Sequence, residues 1–223
     1  GGTGACCWPL GLAAGAGVSV VAGAGVAKLQ DAGIEVVVGV LEAECRELNE
    51  AFIHRMLYHH PFGILKYAMT LDGKIATTTG HSAWVTSQEA RSEVHKLRVA
   101  CDAVIIGGNT VRRDNPFLTS RSTQADNPLR VVMSRSLDLP TEANLWDVSE
   151  ARTLVFTEID SNLEFQEYLR QKGVEVLATS TLTPAVVMSN LYDRGFLSVL
   201  WECGGILAAR AIADGVVQKI WAF

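Results

Sequence analysis

The fold is decided by residues 196–212, which read FLSVLWECGGILAARAI. The first half, Leu197–Glu202, is a short apolar run of strand length, and a helical pattern begins at Ile206 after the pair Gly204-Gly205. A strand that turns through glycines into a helix is typical of open α/β sheets, in which ligands bind beyond the carboxyl ends of the strands. Because the first N–H groups of a helix have no partner within it, this helix start predicts an anion-binding site. Glu202, at the strand end, is a candidate to bind hydroxyl groups of the same ligand.

The same alternation of strands and helices extends over residues 61–223. Predicted strands cover residues 63–69, 103–107, 130–134, 153–157, 174–177, 197–202 and 216–223, and predicted helices cover residues 87–99, 163–172, 185–194 and 206–213. Gly173, Gly195 and Gly215 follow predicted helices as stop signals, and Pro184 suits a first helical turn. This pattern predicts an α/β fold with a largely parallel sheet and helices on both faces.

The first 60 residues are organised differently. Residues 1–27 contain no charged residue, and their Gly- and Ala-rich composition without a basic start favours a loop or fragment edge over a membrane span or a secretory signal. Next come a predicted helix over residues 28–32, a strand over 34–38, a helix over 42–57 and a linker over 58–61. We therefore predict an N-terminal segment of residues 1–60 and a second domain of residues 61–223.

The charge balance excludes two classes of partner. With 19 basic and 24 acidic residues, the formal net charge is −5, whereas nucleic acids and anionic membranes are bound by basic surfaces. We expect neither as a partner. A phosphorylated small molecule is compatible with this charge if arginines or lysines gather around it.

Metal-assisted deamination is not predicted. A zinc deaminase needs an H-x-E motif followed by P-C-x-x-C, because the metal-bound water requires three protein ligands and a carboxylate that moves protons. None of the five histidines has a glutamate two positions later, and no C-x-x-C pair occurs. The adjacent side chains of His59 and His60 rarely converge on one ion, so no metal site is predicted.

Several separated segments, in the right order, resemble one protein family. They are LKYAMTLDGKIA (65–76), HSAWVTSQEARSEVHKLR (81–98), CDAVIIGGNTVRRDNPFLTSR (101–121) and FLSVLWECGGILAARAI (196–212). These segments resemble the reductase domain of the bifunctional riboflavin-biosynthesis deaminase/reductase, and residues 22–52 resemble the end of its deaminase domain. Three stretches, residues 51–76, 104–116 and 195–205, are most similar to the plant pyrimidine reductase, in which the deaminase half is degenerate.

The resemblance implies a dihydrofolate-reductase-like fold with a mixed, largely parallel sheet, preceded by a remnant of a cytidine-deaminase-like domain without deaminase activity. It also implies NADPH-dependent reduction of 5-amino-6-(5-phosphoribosylamino)uracil, a phosphorylated pyrimidine, at C1′ to give the ribitylamino product. A homodimer is implied, with a plastid location for a plant protein and a cytoplasmic one otherwise. Because the family's sheet continues beyond residues 217–223, we expect the reductase domain to be truncated at its C-terminus.

The resemblance also implies which groups contact the substrate. The implied substrate residues are Ser82, Arg98, Phe117, Arg121 and Glu202, and the implied catalytic residues are Lys66 and Glu202. Arginines suit a phosphorylated sugar, because guanidinium groups stay charged and bind oxyanions through paired hydrogen bonds. Lys66 lies among apolar neighbours in the first reductase strand, where an ammonium is costly unless it faces a ligand. The alternative interpretation of Arg98 is a solvated residue at the C-terminus of a helix.

The implied cofactor residues are Ala68, Trp84, Thr110, Asp114, Arg135, Gly204, Gly205, Ile206 and Leu207. Gly107 and Gly108 let backbone approach a ligand closely, and Thr110 and Asp114 offer hydrogen-bonding oxygens. Arg135 is a candidate to bind the 2′-phosphate of NADPH. In the alternative interpretation of these residues, Trp84 is an ordinary core residue and Asp114 is part of a turn without a ligand.

Two other functions stay open from the sequence. One is a catalytically silent member of the family that keeps the fold and ligand affinity. The other is a dihydrofolate-reductase-like enzyme acting on a pterin, which predicts a buried carboxylate early in the domain, and Asp72 is the local candidate.

Overall fold

A computed structural model describes residues 23–79, 85–121 and 126–223. The chain divides into two compact units between His59 and His60. Within the described residues, no helix is long and apolar enough to span a bilayer.

The first unit contains three short helices among its described residues: α1 (Ala24–Asp31), α2 (Glu42–Leu48) and α3 (Glu50–Tyr58). The strand predicted over residues 34–38 is wrong: this apolar run has no strand pairing, and Val37 is 61% exposed. The single helix predicted over residues 42–57 is interrupted at Asn49. The Asn49 side chain donates to the Cys45 carbonyl at 2.8 Å, a local hydrogen bond that competes with the helical backbone pattern.

The second unit is built on a seven-stranded sheet in the order β5-β4-β3-β2-β6-β1-β7. The strands are β1 (Phe62–Tyr67), β2 (Ala103–Gly107), β3 (Leu129–Met133), β4 (Thr153–Glu158), β5 (Glu175–Thr179), β6 (Ser198–Trp201) and β7 (Lys219–Ala222). All six adjacent pairs are parallel. The predicted α/β class and largely parallel sheet are therefore confirmed.

In the part of this unit that the structure describes, five helices and one 3-10 turn lie between these strands. They are α4 (Gln88–Ala100), α5 (Gly108–Asp114), α6 (Leu163–Gln171), α7 (Pro184–Asp193), α8 (Gly205–Ala213) and the turn Asn144–Trp146. The predicted stop signals at Gly173, Gly195 and Gly215 all have positive φ, which glycine adopts without steric cost. Pro184 begins α7, as predicted.

Two apolar cores cover the two faces of the sheet. On one face, side chains of α7 and α8 such as Leu191 and Ala208 pack against Ile105 and Val131. On the other, residues of α4 and α6 pack against Ile106 and Val132. Successive side chains of a strand point to opposite faces, so strands covered on both sides are mostly apolar. This explains why their sequences read as near-continuous apolar runs.

Candidate active site

The carboxyl ends of four neighbouring strands meet at one edge of the sheet. Ala68 follows β1, Gly107 ends β2, Arg135 lies two residues after β3, and Glu202 follows β6. Because the strands are parallel and adjacent, the segments that follow them lie side by side. They surround a cavity of about 640 Å³.

All the described residues that the sequence predicts to bind cofactor line this cavity. They are Ala68, Thr110, Asp114, Arg135, Gly204, Gly205, Ile206 and Leu207. The predicted catalytic residues Lys66 and Glu202 line it too. Segments after four different strands are thus brought together around one cavity.

The N-terminus of α8 is open on the cavity side. Its N-cap, Gly204, provides no side-chain hydrogen bond, and a Cβ atom added to Gly204 would meet nothing within 4 Å. Among the described residues, no hydrogen bond uses the first backbone N–H groups of this helix, from Gly205 to Leu207. Three free amides at the positive end of a helix fit a phosphate or diphosphate group.

The second glycine pair, Gly107 and Gly108, also lines the cavity. Gly107 is the N-cap of α5, a helix that the sequence analysis missed, and Gly108 is its first residue. A Cβ atom on Gly108 would lie 3.1 Å from Leu139 Cδ2 and 3.2 Å from Ser134 Oγ. A side chain at position 108 would therefore require the Leu139 and Ser134 side chains to shift by a few tenths of an ångström.

Glu202 is the centre of a part-buried cluster of charges. Its two carboxylate oxygens accept hydrogen bonds from Arg98 Nε at 2.6 Å and Arg98 Nη2 at 2.9 Å, and its Oε2 lies 3.9 Å from Lys66 Nζ. The side chains of Glu202, Arg98 and Lys66 are 8%, 13% and 22% exposed. A paired, part-buried carboxylate with one cation on each side is a rigid arrangement that can orient hydroxyl groups of a ligand.

Arg98 also fixes a loop near the cluster. Its Nη1 donates to the backbone carbonyl of Thr119 at 3.0 Å, in addition to the two hydrogen bonds that Arg98 makes to Glu202. This geometry differs from a free substrate-binding arginine: Arg98 is held by Glu202 and Thr119 before any ligand arrives.

His95 lies one helical turn before Arg98 and was missed by the sequence analysis. Burial lowers the pKa of its imidazole, and the positive charges of Arg98 and Arg121 lower it further, against the opposing effects of Glu202 and a hydrogen bond to the Thr119 backbone. Its Nδ1 atom is buried without a hydrogen-bond partner. The signal was available in the sequence, since His95 and Arg98 are three residues apart on one helix and therefore share a face.

Cys203 and Tyr67 line the cavity beside this cluster but are protonated at neutral pH. Burial raises the pKa of the Cys203 thiol to about 12, and burial and Cys203 raise the pKa of the Tyr67 hydroxyl. The thiolate is the reactive form of cysteine, so Cys203 is not a nucleophile at neutral pH.

Phe117 and Arg121, two further predicted substrate residues, do not line the cavity. Phe117 is 52% exposed, and Arg121 is an exposed residue with a φ of 54°, close enough to influence the His95 ring electrostatically. Ser82 and Trp84 fall outside the described residues. Their predicted roles stay predictions.

Two chemical alternatives can be compared with this geometry. Asp72, the candidate for a buried ring-protonating acid, is exposed in a turn and hydrogen-bonds to Thr70. Over residues 23–79, 85–121 and 126–223, no three His, Cys, Asp or Glu side chains gather in a group that would hold a metal ion.

This fold and site define a class of protein: an open parallel α/β sheet with a phosphate-compatible helix start and a charged cluster at the carboxyl edge. A model of the RibD C-terminal domain matches residues 61–223. The chain belongs to the RibD C-terminal domain family.

Named relatives agree with this membership. The chain is 60% identical over 204 residues to "Riboflavin biosynthesis protein RibD" of Synechocystis sp., covering 92% of this chain and 55% of that protein. It is 51% identical over 206 residues to "Riboflavin biosynthesis protein PYRR, chloroplastic" of Arabidopsis thaliana, covering 88% of this chain and 34% of the relative. The chain thus spans about half of the first relative and about a third of the second.

A solved structure shares the fold. The Thermotoga maritima diaminohydroxyphosphoribosylaminopyrimidine deaminase/5-amino-6-(5-phosphoribosylamino)uracil reductase superposes with a TM-score of 0.78 at 36% identity, over 91% of this chain and 55% of that one. The dihydrofolate-reductase-like fold predicted from the sequence is confirmed by this family of structures.

Proposed function

We propose that this chain is an NADPH-dependent reductase of riboflavin biosynthesis that converts 5-amino-6-(5-phosphoribosylamino)uracil to its ribitylamino product. The observation that carries the proposal is the part-buried cluster of Glu202, Arg98 and Lys66, which lines or borders the same cavity as the open N-terminus of α8. The relatives named for riboflavin biosynthesis and the Thermotoga reductase support the same reaction.

The cofactor side of the proposal rests on the helix start. The amides of Gly205, Ile206 and Leu207 would bind the diphosphate of NADPH, and Thr110 and Asp114 would accept and donate hydrogen bonds around it. Arg135 is exposed at the cavity and supplies a cation for the 2′-phosphate. When bound, the nicotinamide supplies the hydride for the reaction.

The substrate side of the proposal rests on the charged cluster. Glu202, oriented by Arg98, would accept hydrogen bonds from ribose hydroxyls. Reduction forms a C1′–H bond, breaks the C1′–O4′ bond and requires one proton on O4′. The Lys66 ammonium, beside Glu202 in the cavity, is the group that we propose as the proton donor. Arg121 supplies a cation for the substrate phosphate.

The test compares two carboxylates that are both held by arginine. The change Glu202→Gln removes one charge from the cluster, and we expect the rate of NADPH oxidation at 340 nm with the pyrimidine substrate to fall at least about 100-fold, because loss of orientation costs that much. The matched control is Glu175→Gln, which removes the charge from the exposed pair Arg194–Glu175, four strands away in the sheet. The control is expected to keep the wild-type rate.

The same measurements distinguish the silent-protein alternative. A wild-type chain that binds NADPH in a fluorescence titration but never oxidises it would be a ligand-binding protein and not a reductase. Equal rates for Glu202→Gln and Glu175→Gln would remove Glu202 from the reaction.

Residues 1–60 are proposed to be the remnant of a deaminase domain without activity. The plastid location and the homodimer are proposals as well. The first rests on the relatives of Arabidopsis thaliana and Zea mays that are named chloroplastic.

A further inference from the structure

Arg130 is a buried cation that has no carboxylate in direct contact. It lies on β3 with 1% of its surface exposed, and no ion pair among the described residues includes it. Burial lowers the pKa of its guanidinium, against the opposing charges of Asp147 and Glu150. A buried charge is costly unless hydrogen bonds replace the lost water, so the partners of Arg130 explain why an arginine is kept in the core.

Backbone carbonyl oxygens provide this replacement for the two Nη atoms, whereas the buried Nε atom has no hydrogen-bond partner in the described part of the chain. The guanidinium donates to the carbonyls of Phe117 (3.3 Å), Asn144 (3.4 Å), Leu145 (3.1 Å), Asp147 (2.6 Å) and Ala151 (2.6 Å). Four of these belong to segment 144–151, which precedes β4, whereas Phe117 belongs to loop 115–121, which follows α5. One buried cation therefore joins two segments that are distant in sequence.

Loop 115–121 has a backbone conformation that needs such support. Asn115, Leu118 and Arg121 have φ values of 39°, 55° and 54°, in the left-handed region that side-chain-bearing residues rarely adopt. Conformations of this kind persist only where the surroundings fix them. The loop is therefore expected to relax if its anchors are removed.

Asn127 provides a second anchor from the solvent side. Its Oδ1 accepts hydrogen bonds from Ser120 N at 2.8 Å and Ser120 Oγ at 3.0 Å, and its Nδ2 donates to the Glu150 carbonyl at 3.0 Å. Asn127 thus joins loop 115–121 to the same segment 144–151 that Arg130 holds.

The anchored loop is the one that contacts the charged cluster. The Thr119 carbonyl accepts from Arg98, and Arg98 in turn binds both oxygens of Glu202. We propose that Arg130 and Asn127 are positioning residues for substrate binding: they hold loop 115–121 so that Thr119 orients Arg98 and Arg121 stays at the substrate side. This inference rests on the proposed reductase function.

The cofactor side does not depend on the same anchors. None of residues 115–121 lines the cavity at the N-terminus of α8 as far as the described residues define it. The inference therefore predicts that loss of an anchor weakens substrate binding and leaves NADPH binding unchanged. General destabilisation would weaken the binding of both ligands.

The test measures both ligands in the variants Arg130→Lys and Asn127→Ala. A lysine keeps the charge but has only three donors and no planar fork, so it cannot bind five carbonyls. We expect the KM for the pyrimidine substrate to rise at least 10-fold in Arg130→Lys and several-fold in Asn127→Ala, while the Kd for NADPH stays within twofold of wild type. If Arg130→Lys does not fold, Asn127→Ala decides.

Two controls separate positioning from stability. Thr153→Val removes a buried hydrogen bond to the Leu145 carbonyl, so it weakens segment 144–151 without touching loop 115–121, and Asn190→Ala removes an exposed hydrogen bond on α7. Both are expected to leave the substrate KM unchanged at a temperature where every variant is folded.

Unchanged substrate KM in the folded variants, or an equal rise in KM and NADPH Kd, would overturn the inference. If the wild-type chain itself does not oxidise NADPH, the proposed function fails, and the rate of trypsin cleavage after Arg121 still tests the anchoring. Faster cleavage in Asn127→Ala than in Asn190→Ala supports it, and equal cleavage contradicts it.

Discussion

Arg98 has opposite effects on two neighbouring side chains: it stabilises the charged form of Glu202 and destabilises the charged form of His95. The carboxylate gains two hydrogen bonds from Arg98, whereas the imidazole, one helical turn away, is part-buried beside the guanidinium groups of Arg98 and Arg121. The protonated form of His95 is stabilised by Glu202 and destabilised by Arg98 and Arg121, and burial destabilises it further. The native protein therefore favours a neutral His95.

The neutral state of His95 predicts how stability depends on pH. In the unfolded chain a histidine titrates near 6.5, and in the folded protein the pKa of His95 is lower. Between these two values the unfolded state binds more protons, so the free energy of unfolding falls as the pH drops below about 6.5 and the fall ends below the folded pKa. Urea unfolding from pH 5 to pH 8 should show a shallower slope in His95→Gln than in wild type. An unchanged slope would mean that His95 is charged in the native state.

At the scale of elements, the start of α8 shows whether folding or ligand binding needs the glycine at position 205. The helix begins directly after the strand end that carries Glu202, and Ile75 of the loop after β1 lies over Gly205. A Cβ atom on Gly205 would lie 3.3 Å from Ile75 Cδ1, which that flexible side chain can accommodate with a small shift. Fold stability does not require glycine here.

The variant Gly205→Ala therefore separates folding from binding. Alanine favours a helix more than glycine does, so the melting temperature is expected to stay equal or rise slightly. The Kd for NADPH is expected to rise several-fold, because the new methyl group reaches toward the amides proposed to bind the diphosphate. The control Ala209→Gly, on the exposed side of the same helix, is expected to lower the melting temperature without changing the Kd. Tighter NADPH binding by Gly205→Ala would exclude the proposed diphosphate position.

The elements that sequence reasoning identified are those whose local and tertiary preferences agree. The run at residues 103–107 is apolar because it is covered on both faces, and this burial is visible in the sequence itself. Residues 34–38 have a similarly apolar pattern but pair with no described strand. The sequence pattern alone cannot show whether a neighbouring strand is available for pairing. Helix α5 was missed because Gly108 and two arginines in seven residues give no apolar stripe.

The site also has a part that the sequence predicts and a part that it does not. The cavity residues were predictable because parallel strands bring their carboxyl ends together, which topology alone ensures. Contacts that depend on side-chain reach were not: neither the bond from Arg98 to the Thr119 carbonyl nor the carbonyl-bound Arg130 follows from spacing. Both bind backbone oxygens, which are present at every residue and leave no sequence signal.

At the scale of the whole molecule, the second unit contains everything that the proposed reaction uses. Both apolar cores, all six strand pairs and every residue lining the cavity lie between residues 60 and 223. A domain with its own core folds alone. Residues 60–223 expressed without the first unit are therefore expected to unfold in one cooperative transition and to bind NADPH within twofold of the full chain. The comparison requires circular dichroism melts and NADPH titrations on both proteins, with the shorter one carrying Gly205→Ala as a control that folds but binds weakly. Loss of the cooperative transition in the shorter protein would show that residues before His60 complete its core, and normal melting with lost NADPH binding would show that they complete its cofactor site.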